Sequence, residues 1–348
     1  MNRGSNNSEF DRPAFWFVLV NFHGLSDTLE CLESLKAASV ALDQVIVVDN
    51  ASSQSECDSI SSAFPSVMVH RNSENQGWAG GNNRGIELAL EHGADWVFLL
   101  NNDTVVHPEI LNRMQAAVSN GSWDVLGPVI NEYADRSIIQ SEGISFNRKG
   151  SAAFFDHIPI TQLARSPQEV VETDIVNGCA VAISRRVFES IGLIDERFFL
   201  ICEESEFCLR AKRAGFRVGV LAEPLVWHKH SVSFARAGKP LQRYYGIRNL
   251  RLLLGMHATG AGRKGRAESW LCYLRHAYHL YSHERELDNR AGATSVARGL
   301  IDGVLGRYGP QRAPVQSLTL PADLMLSMVW RLTGGKTNSR SQASTDVA

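Results

Sequence analysis

An apolar run that ends abruptly in polar side chains is the feature that most constrains how this chain folds. Residues 96–104 read WVFLLNNDT, so that Asn101, Asn102 and Asp103 directly follow five apolar residues. Such a run is typical of a strand buried on both faces of a sheet, and open α/β sheets bind ligands beyond the carboxyl ends of their strands. Asp103 is therefore a candidate for handling a metal ion or a phosphate. The same three residues also suit a loop exit or a helix N-cap, and this stretch alone leaves both interpretations open.

Two further apolar runs near the N-terminus enclose a helical pattern. Residues 15–21 read FWFVLVN, and Val45 to Val48 form the second run. Between them Leu29, Leu32 and Leu35 recur at helical spacing. The pattern predicts a β-α-β unit, whose second strand ends in Asp49 and so delivers another acid to the carboxyl edge of the sheet.

A segment rich in glycine and asparagine follows the third predicted strand. Residues 72–85 read NSENQGWAGGNNRG, and we expect them to form a loop before an apolar helix from Ile86 to Leu90. Glycines permit positive φ and close backbone approach, and a helix N-terminus offers unpaired N–H groups to an anion. A sugar nucleotide fits such a segment, whereas the absence of GxGxxG spacing disfavours a dinucleotide site. A long surface turn is the alternative.

Three carboxylates lie close together in the second half of the chain. Glu203, Glu204 and Glu206 begin an amphipathic segment that reads ICEESEFCLRAKRAG. Acids in a first helical turn are favoured by the helix dipole, but one of them is also a plausible general base. Further on, residues 218–227 are predicted to form a strand pair or a strand kinked at Pro224, and His228 follows as either a metal ligand or a surface histidine.

Composition limits the class of protein. Hydrophobic residues make up 44% and charged residues 21% of the chain, as in an ordinary soluble protein. No apolar run approaches the roughly 18 residues of a membrane span, and the polar N-terminus lacks a signal-peptide core. We therefore expect a cytoplasmic protein. The six cysteines form no CxxC pair, which favours free thiols over a zinc site or disulfides.

The C-terminal part of the chain is basic and has a helical pattern. Residues 236–348 carry 17 Lys and Arg against 7 Asp and Glu. Such an excess suits an anionic partner, either a phospholipid surface or a pyrophosphate-bearing substrate, and attraction to the rest of the chain is the alternative. An aromatic stripe on a helix in this region suits a membrane interface or internal packing. Its members are Trp270, Tyr273, Leu274, Ala277, Tyr278 and Tyr281.

These stretches, in this order, resemble the family 2 glycosyltransferases of the GT-A fold, in particular their bacterial rhamnosyltransferase-like branch. The resemblance extends from Phe15 to Leu254 and rests on VLVNFHG, VIVVDNASS, NQGWAGGNNRG, FLLNNDTVVHPE, NGCAVAISRRVFESIGLIDERFF, EESEFCLRAKRAGF, VWHKHS and YYGIRNLRLLL. It implies an α/β fold of the nucleotide-diphospho-sugar transferase type, with a Rossmann-like mixed sheet and a helical, basic C-terminal extension. We expect a catalytic domain over 13–235 and a helical region over 236–335, between disordered ends at 1–12 and 336–348.

The resemblance also implies roles for individual residues. Asp49 would hold the nucleotide base, whereas Asp103 and His228 would bind the divalent cation, Mg²⁺ or Mn²⁺, that bridges the donor's diphosphate. Glu204 would be the general base for the acceptor hydroxyl, with Glu203 as the alternative. Glu204 departs from the family pattern, which usually has Asp there, and Ser205-Glu206 stand in place of Val-Asp. The expected donor-binding residues are Asn21, Asp49, Asn50, Asn75, Gly77, Trp78, Gly80, Asn82, Asn83, Asn101 and Asn102.

The implied activity is a metal-dependent glycosyl transfer with inversion. The expected donor is dTDP-rhamnose, and the expected acceptor is a hydroxyl of a polysaccharide or a lipid-linked saccharide at the inner face of the cell membrane. Two alternatives remain at this point: a catalytically weakened sugar-nucleotide-binding protein, suggested by Glu204, and a nucleotidyltransferase. The latter is disfavoured because no basic, glycine-rich signature follows the first strand. We expect no nucleic-acid partner, and the sequence leaves homo-oligomer formation open.

Overall fold

The computed structural model describes residues 13–119, 121–146, 154–229, 239–257, 262–312, 321–326 and 328. Both ends that the sequence predicts to be disordered, 1–12 and 336–348, lie outside the described residues. Within the described ranges the chain forms a mixed α/β structure followed by helices, in the order that the sequence predicts. The proposed boundaries between catalytic and helical regions stay a prediction.

Strands and helices alternate from Phe15 to Asn101, and several strands then follow one another. The strands are β1 (Phe15–Asn21), β2 (Val45–Asp49), β3 (Met68–Arg71), β4 (Trp96–Asn101), β5 (Thr104–Val106), β6 (Val125–Glu132), β7 (Ile139–Ser141), β8 (Gly143–Phe146), β9 (Phe155–Ile158), β10 (Val170–Glu172), β11 (Ala180–Ser184) and β12 (Val218–His228). The helices are α1 (Leu25–Ala37), α2 (Gln54–Ala63), α3 (Gly77–Glu91), α4 (Ile110–Val118), α5 (Ile160–Leu163), α6 (Arg185–Ile191), α7 (Glu203–Arg213), α8 (Lys239–His257), α9 (Gly262–Glu286) and α10 (Arg290–Val304).

The main sheet is mixed. Its order is β10-β12-β6-β11-β4-β1-β2-β3, with β5 and β7 attached to β12 and β6. Strands β3, β2, β1 and β4 are parallel, which confirms the predicted β-α-β unit, whereas β11 is antiparallel to both of its neighbours. The register pairs Asn21 with Asp49 and Val20 with Asn101. The polar ends of the three central strands therefore lie at one edge.

Both faces of the central strands are buried, which explains their uninterrupted apolar sequences. In β1, Phe17 and Leu19 pack into one core cluster, and Trp16 and Val18 pack into the other, on the opposite face. The rings of Phe17 and Phe98 lie 5.0 Å apart across neighbouring strands. Because a strand's side chains alternate between faces, a run that is apolar at every position is stable only between two layers.

The glycine- and asparagine-rich segment differs from its prediction. Helix α3 begins at Gly77 rather than near Ile86, so only residues 72–76 form the loop. The glycines inside the helix let it approach the sheet closely, because a Cβ at Gly81 would lie 2.9 Å from a methyl carbon of Val20 and one at Gly85 would overlap Val18. Close packing on β1, rather than a flexible loop, accounts for this composition.

The helical C-terminal region packs together through buried polar contacts. Tyr244 in α8 donates a hydrogen bond of 2.8 Å to Asp302 in α10, and Arg243 forms an ion pair of 2.6 Å with the buried Glu284 of α9. The aromatic stripe of α9 is divided: Tyr273, Ala277 and Tyr281 are buried, whereas Trp270 and Leu274 are exposed. Internal packing therefore explains the first group but not the second. No helix in the described ranges has the length and apolarity needed to cross a membrane.

The six cysteines are free thiols, as the sequence predicts, and all but Cys272 are buried. Burial raises the pKa of Cys31 and of Cys208 to about 12 in each case. Because the thiolate is the reactive form, these two side chains behave as small apolar groups at neutral pH.

We predict that Gly85→Ala destabilises the protein by about 1–3 kcal/mol, because the added methyl overpacks the contact between α3 and Val18. Gly246→Ala is the matched control, since it also lies in a helix but has open space around the added carbon. It should be neutral or stabilising by up to about 1 kcal/mol. Urea unfolding measures both changes; equal stability of the two variants would contradict the close approach.

Candidate active site

A cavity of about 220 Å³ lies beyond the carboxyl ends of the central strands. This is where an open α/β sheet is expected to bind its ligand. The cavity brings together the ends of β1, β2 and β4, the start of α3, the end of β12 and one residue of α8. Its lining residues are Val20, Phe22, Asn50, Asn75, Gly77, Trp78, Asn82, Leu100, Asn101, Asn102, Asp103, Phe199, Leu200, His228 and Leu241.

Asp103 and His228 meet in the wall of this cavity. Strand β12 runs antiparallel to β5 with His228 opposite Thr104, so the register itself places the imidazole beside Asp103. Asp103 Oδ1 and His228 Nε2 lie 3.1 Å apart, and His228 Nδ1 lies 3.1 Å from Gln140 Oε1. Burial by itself lowers the pKa of His228, but Cys179 and Asp103 outweigh it and hold that pKa well above its usual value. His228 is only 8% exposed, which excludes a surface histidine.

This pair has the chemistry of a partial metal site. A carboxylate oxygen and an imidazole nitrogen are common ligands of divalent cations, and here both face the same cavity. The described part of the chain contains no cluster of three or more His, Cys, Asp or Glu able to hold a metal. Mg²⁺ commonly binds through one or two protein side chains, with substrate phosphates and water completing its shell. Once the His228 imidazole has given up its proton, the residues present fit a cation held jointly with a phosphate ligand.

Asn21 and Asp49 form a buried network behind the cavity. Asn21 Nδ2 donates to Asp49 Oδ1 at 2.8 Å, and the backbone N–H of Ser52 donates to Asp49 Oδ2 at 2.9 Å. Asn21 Oδ1 accepts from the hydroxyl of Thr28 at 2.9 Å. Both side chains are 0% exposed and neither lines the cavity. In this structure they fix the loops after β1 and β2, and the role of Asp49 toward a nucleotide base stays a prediction.

Asn50 connects the end of β2 to the start of α3. Its Nδ2 donates to Asn75 Oδ1 at 3.1 Å and to the carbonyl of Gly77 at 2.8 Å, while its Oδ1 accepts from Asn72 and from the N–H of Gln76. Gly77 has φ +70, and a Cβ there would overlap the carbonyl oxygen of Phe199. A glycine is therefore required where α3 begins at the cavity.

The asparagines of α3 have different surroundings. Asn82 lines the cavity and donates to the carbonyl of Trp78 at 2.9 Å. Asn83 is directed away, because its Nδ2 donates to the carbonyl of Ile194 at 2.9 Å and to Glu196 Oε1 at 3.0 Å, and its Oδ1 accepts from the N–H of Ile194 at 3.0 Å. Gly80 also lies outside the lining, against the side chain of Gln76.

The polar end of β4 is held in place by two neighbours. Trp78 Nε1 donates to Asn101 Oδ1 at 3.0 Å, and Asn102 Nδ2 donates to the hydroxyl of Thr28 at 2.9 Å. The three side chains after the apolar run are thus ordered elements of the cavity, not a helix N-cap. This places Asp103 at a fixed position.

Glu203 and Glu204 begin helix α7 beside the cavity rather than within its lining. Glu203 is buried, and its Oε2 has no hydrogen-bond partner within the described ranges. Glu204 is half-buried and accepts a hydrogen bond of 3.1 Å from Ser205. Burial raises the pKa of both carboxyl groups, and the adjacent Glu204 raises that of Glu203 further. A carboxylate with a raised pKa is the stronger base.

Gly178 lets Glu204 approach the cavity wall. A Cβ at this glycine would lie 3.2 Å from both Trp78 Cζ2 and Glu204 Cβ. The glycine therefore leaves a gap that the tryptophan ring and the glutamate share. Gly178 was not among the predicted site residues, although the NGC at the start of one family motif was a signal for it.

Glu206 has a structural role. It is 0% exposed, it forms an ion pair with Arg210 at 3.0 Å, and His257 lies 3.4 Å away. Burial by itself raises the pKa of Glu206, but hydrogen bonds from His257 and Arg210 outweigh it and hold that pKa below its usual value. Of the three clustered acids, this one ties α7 to α8.

Several residues of the cavity had no recognisable signal in the sequence. Phe22, Phe199, Leu200 and Leu241 are apolar, and apolar residues in loops or at helix starts do not distinguish a lining from a core. Leu241 is the unexpected member, because it belongs to α8 of the helical C-terminal region. The C-terminal helices therefore contribute to the site itself.

A family model described as "Glycosyltransferase like family 2" matches residues 13–246. This chain belongs to that family, and it is accordingly a glycosyltransferase; nothing supports the nucleotidyltransferase alternative. It is 27% identical over 236 residues to the low-salt glycan biosynthesis hexosyltransferase Agl10 of Haloferax volcanii, which covers 67% of this chain and 72% of that protein.

Two further relatives are named for rhamnose transfer. The dTDP-rhamnosyl transferase RfbF of Shigella flexneri is 26% identical over 217 residues, 60% of this chain and 70% of that one. The N-acetylglucosaminyl-diphospho-decaprenol L-rhamnosyltransferase of Mycobacterium tuberculosis is 27% identical over 219 residues, 57% of this chain and 70% of that one.

Solved structures share the fold. Residues 1–349 of TarS from S. aureus superpose with a TM-score of 0.51 at 15% identity, covering 92% of both chains. GalNAc-T7, solved with UDP, GalNAc and Mn²⁺, gives a TM-score of 0.53 at 17% identity over 62% of this chain and 43% of that one. The fold is therefore the GT-A fold that the sequence resemblance implies, with its helical C-terminal region.

The surroundings of Asn82 and Asn83 generate a prediction about stability. Asn83→Ala should cost about 1–3 kcal/mol of unfolding free energy, because it leaves the backbone N–H and carbonyl of the buried Ile194 without their side-chain partner. The neighbouring control, Asn82→Ala, loses one bond to a helix carbonyl and should cost less than about 1 kcal/mol. Chemical denaturation measures both; a larger loss at Asn82 would refute the assignment.

Proposed function

We propose that this glycosyltransferase transfers rhamnose from dTDP-rhamnose, with inversion and with a divalent cation, to a hydroxyl of a polysaccharide or lipid-linked saccharide. The observation that carries the proposal is the Asp103–His228 pair, 3.1 Å apart in the wall of a cavity that Glu204 flanks. Two relatives named for rhamnose transfer support the choice of sugar. One of them is named for a lipid diphosphate acceptor, which supports the acceptor class.

Asp103 and His228 would hold Mg²⁺ or Mn²⁺ together with the donor's diphosphate. The cation, when bound, neutralises the charge that develops on the departing nucleoside diphosphate. GalNAc-T7, a protein of the same fold, was solved with Mn²⁺ and UDP, which supports a divalent cation here. The protein's own contribution is to keep both ligands fixed, through Gln140 on His228 Nδ1 and the backbone N–H of Lys229 on the carbonyl of Asp103.

Glu204 is the better candidate for the general base. Glu203 is only 4% exposed, whereas Glu204 is half-buried and adjoins Trp78 across Gly178. A carboxylate in that place accepts the proton of the acceptor hydroxyl as the new glycosidic bond forms on the face opposite the leaving group. General-base assistance contributes about 10²–10⁴-fold in rate.

The nucleotide-sugar donor would occupy the cavity between β4 and α3. The polar groups available to it are Asn75, Asn82, Asn101 and Asn102, with the ring of Trp78 as an apolar wall, whereas the amide of Asn50 is already hydrogen-bonded within the protein. Asparagine amides donate and accept hydrogen bonds, which suits sugar hydroxyls and phosphate oxygens.

The function is tested by incubating the purified protein with dTDP-, UDP- and GDP-sugars and Mn²⁺. A ligand at ~100 times its Kd adds about 2.7 kcal/mol of stability. At equal concentrations the donor with the lowest Kd therefore raises the unfolding temperature most, and we expect that donor to be dTDP-rhamnose. We also expect slow hydrolysis of that donor and faster transfer to a GlcNAc-diphospho-lipid analogue. Failure of every nucleoside diphosphate-sugar to bind would refute the proposal; binding without any product would favour the sugar-nucleotide-binding alternative.

Substitutions at Asp103 and Glu204 should separate donor binding from the transfer step. Asp103→Ala should abolish the Mn²⁺-dependent part of dTDP binding, because it removes a carboxylate ligand. Glu204→Gln keeps the size of the side chain, so it should leave dTDP binding within about threefold and lower kcat by about 10²-fold or more. Calorimetric titration and initial rates measure these effects. Unimpaired transfer by Glu204→Gln would move the base role to Glu203.

The exposed part of the α9 stripe supports a contact with anionic phospholipid. Trp270 and Leu274 of the stripe are 37% and 44% exposed, and the neighbouring Leu271 is 48% exposed. The Arg251 guanidinium lies 4.0 Å over the Trp270 ring. Aromatic and apolar side chains beside basic ones suit a membrane interface. Such a contact would bring the enzyme to a lipid-linked acceptor at the inner face of the membrane.

Vesicle co-sedimentation at low salt tests this contact. The double variant Leu271→Ser/Leu274→Ser should bind phosphatidylglycerol vesicles at least about 10-fold more weakly, since it removes two inserted apolar side chains. Leu163→Ser is the control, because Leu163 is equally apolar and 59% exposed but lies in α5. Absence of vesicle binding by the unmodified protein would assign the basic region to packing or to the acceptor's phosphates.

A further inference from the structure

The turn of residues Phe198–Cys202 leads directly into helix α7 and has a strained backbone. Three residues of the turn have left-handed backbone conformations although none of them is glycine. Their φ angles are 63° at Phe199, 72° at Ile201 and 70° at Cys202. L-residues rarely adopt such angles, and a β-branched residue such as Ile201 is among the least suited to them. Strained backbone persists only where surrounding contacts over-determine it, and it clusters at functional sites.

The contacts that hold this turn come from α8. Asn249 Nδ2 lies 2.8, 2.7 and 2.7 Å from the carbonyl oxygens of Phe198, Leu200 and Ile201, so that its two N–H donors are shared among three acceptors. Arg248 Nη2 lies 2.9 Å from the same Phe198 carbonyl. The left-handed residues turn several carbonyls of a short segment toward one point, and a single side-chain amide occupies that point.

Arg248 and Asn249 are both 0% exposed, although one is charged and the other is an amide. The guanidinium of Arg248 also donates to the carbonyl of Gly309 at 2.6 Å and to Asn249 Oδ1 at 2.9 Å, and it lies 4.6 Å over the ring of Tyr245. Neutral carbonyls and aromatic faces stabilise a buried cation less than a carboxylate does. A purely structural helix contact would be made more easily by apolar side chains.

The far side of the turn reaches the cavity. The carbonyl of Phe199 accepts the backbone N–H of Trp78 at 2.8 Å, and Phe199 and Leu200 line the cavity. Glu203 and Glu204 follow Cys202 directly as the first residues of α7. The Phe198–Cys202 turn thus contacts α8 on one side. On the other side it contacts Trp78 and leads into Glu203 and Glu204.

We propose that Arg248 and Asn249 are positioning residues, which hold the Phe198–Cys202 turn in its strained form and so set where the Glu203–Glu204 carboxylates lie relative to Trp78. This inference rests on the proposed function insofar as Glu204 or Glu203 is the base. It assigns a task to the IRN part of YYGIRNLRLLL, and it makes α8 necessary for transfer although α8 carries no reacting group. Neither residue touches the cavity.

The experiment uses Asn249→Ala in the full chain. We expect kcat for transfer, or for donor hydrolysis, to fall at least about 10-fold, because a misplacement of about 1 Å costs that much or more. The Kd for dTDP with Mn²⁺ should change less than about threefold, since Asp103 lies between β4 and β5 and His228 ends β12. Hydrogen–deuterium exchange should become faster in peptides that cover residues 198–204 and at the Trp78 amide, which the turn's carbonyl protects.

Tyr244→Phe is the matched control. It lies in the same helix, it is buried, and it removes the hydrogen bond to Asp302 while keeping the aromatic ring that lies beside Arg248. It should leave kcat within about twofold and the exchange of residues 198–204 unchanged. If Tyr244→Phe and Asn249→Ala lower kcat equally, or if Asn249→Ala leaves kcat and exchange unchanged, the positioning role is wrong.

A second variant keeps the test open if Asn249→Ala does not fold. Arg248→Lys retains the positive charge and leaves Asn249 in place, but it loses the planar fork that bridges Phe198 and Gly309. We expect an intermediate loss of kcat with faster exchange of residues 198–204, and full activity with unchanged exchange would overturn the proposal. The exchange measurement needs no substrate, so it distinguishes failure of this inference from failure of the proposed function.

Discussion

The parallel pairing of β1 with β2 and β4 is the constraint on which the rest of the site depends. Its register places Asn21 beside Asp49 and Val20 beside Asn101, so three strands end together at one edge of the sheet. Both faces of these strands are buried, and a shift by one residue would exchange the two faces of each strand. The position of the polar edge is therefore fixed by the packing of the apolar residues that precede it.

Most polar residues at that edge form hydrogen bonds to one another, which leaves only part of their hydrogen-bonding capacity for a ligand. Asn21, Asp49 and Thr28 form one network, and Asn50, Asn72 and Asn75 form another. Such networks stabilise a single arrangement, because an unpaired buried amide is costly. The asparagine-rich composition thus produces a rigid frame in which Asp103 and His228 meet, and rigidity is what positions a reacting group within the tolerance that catalysis requires.

The sequence predicted the elements more accurately than the environment of each residue. The β-α-β unit, the kinked strand before His228 and the basic helical extension all follow from local periodicity, which depends on neighbours along the chain. Asn82 and Asn83 show the limit: they are adjacent and chemically identical, yet one lines the cavity and the other holds the Ile194–Glu196 loop. The start of α3 at Gly77 was missed because glycine lowers helix propensity, and its packing against Val18 and Val20 is a tertiary effect.

The sequence by itself determined the α/β class, the acids at the strand ends and, through its ordered motifs, the glycosyltransferase family. Only the tertiary structure decided which of those acids lie at the cavity, because Asp49 is enclosed, Glu206 binds Arg210, and Asp103 meets His228, which is 125 residues away along the chain. It also decided that α8 reaches the cavity and the turn before Glu203. Contacts between residues distant in sequence depend on how helices and strands pack, and no local pattern in the chain records them.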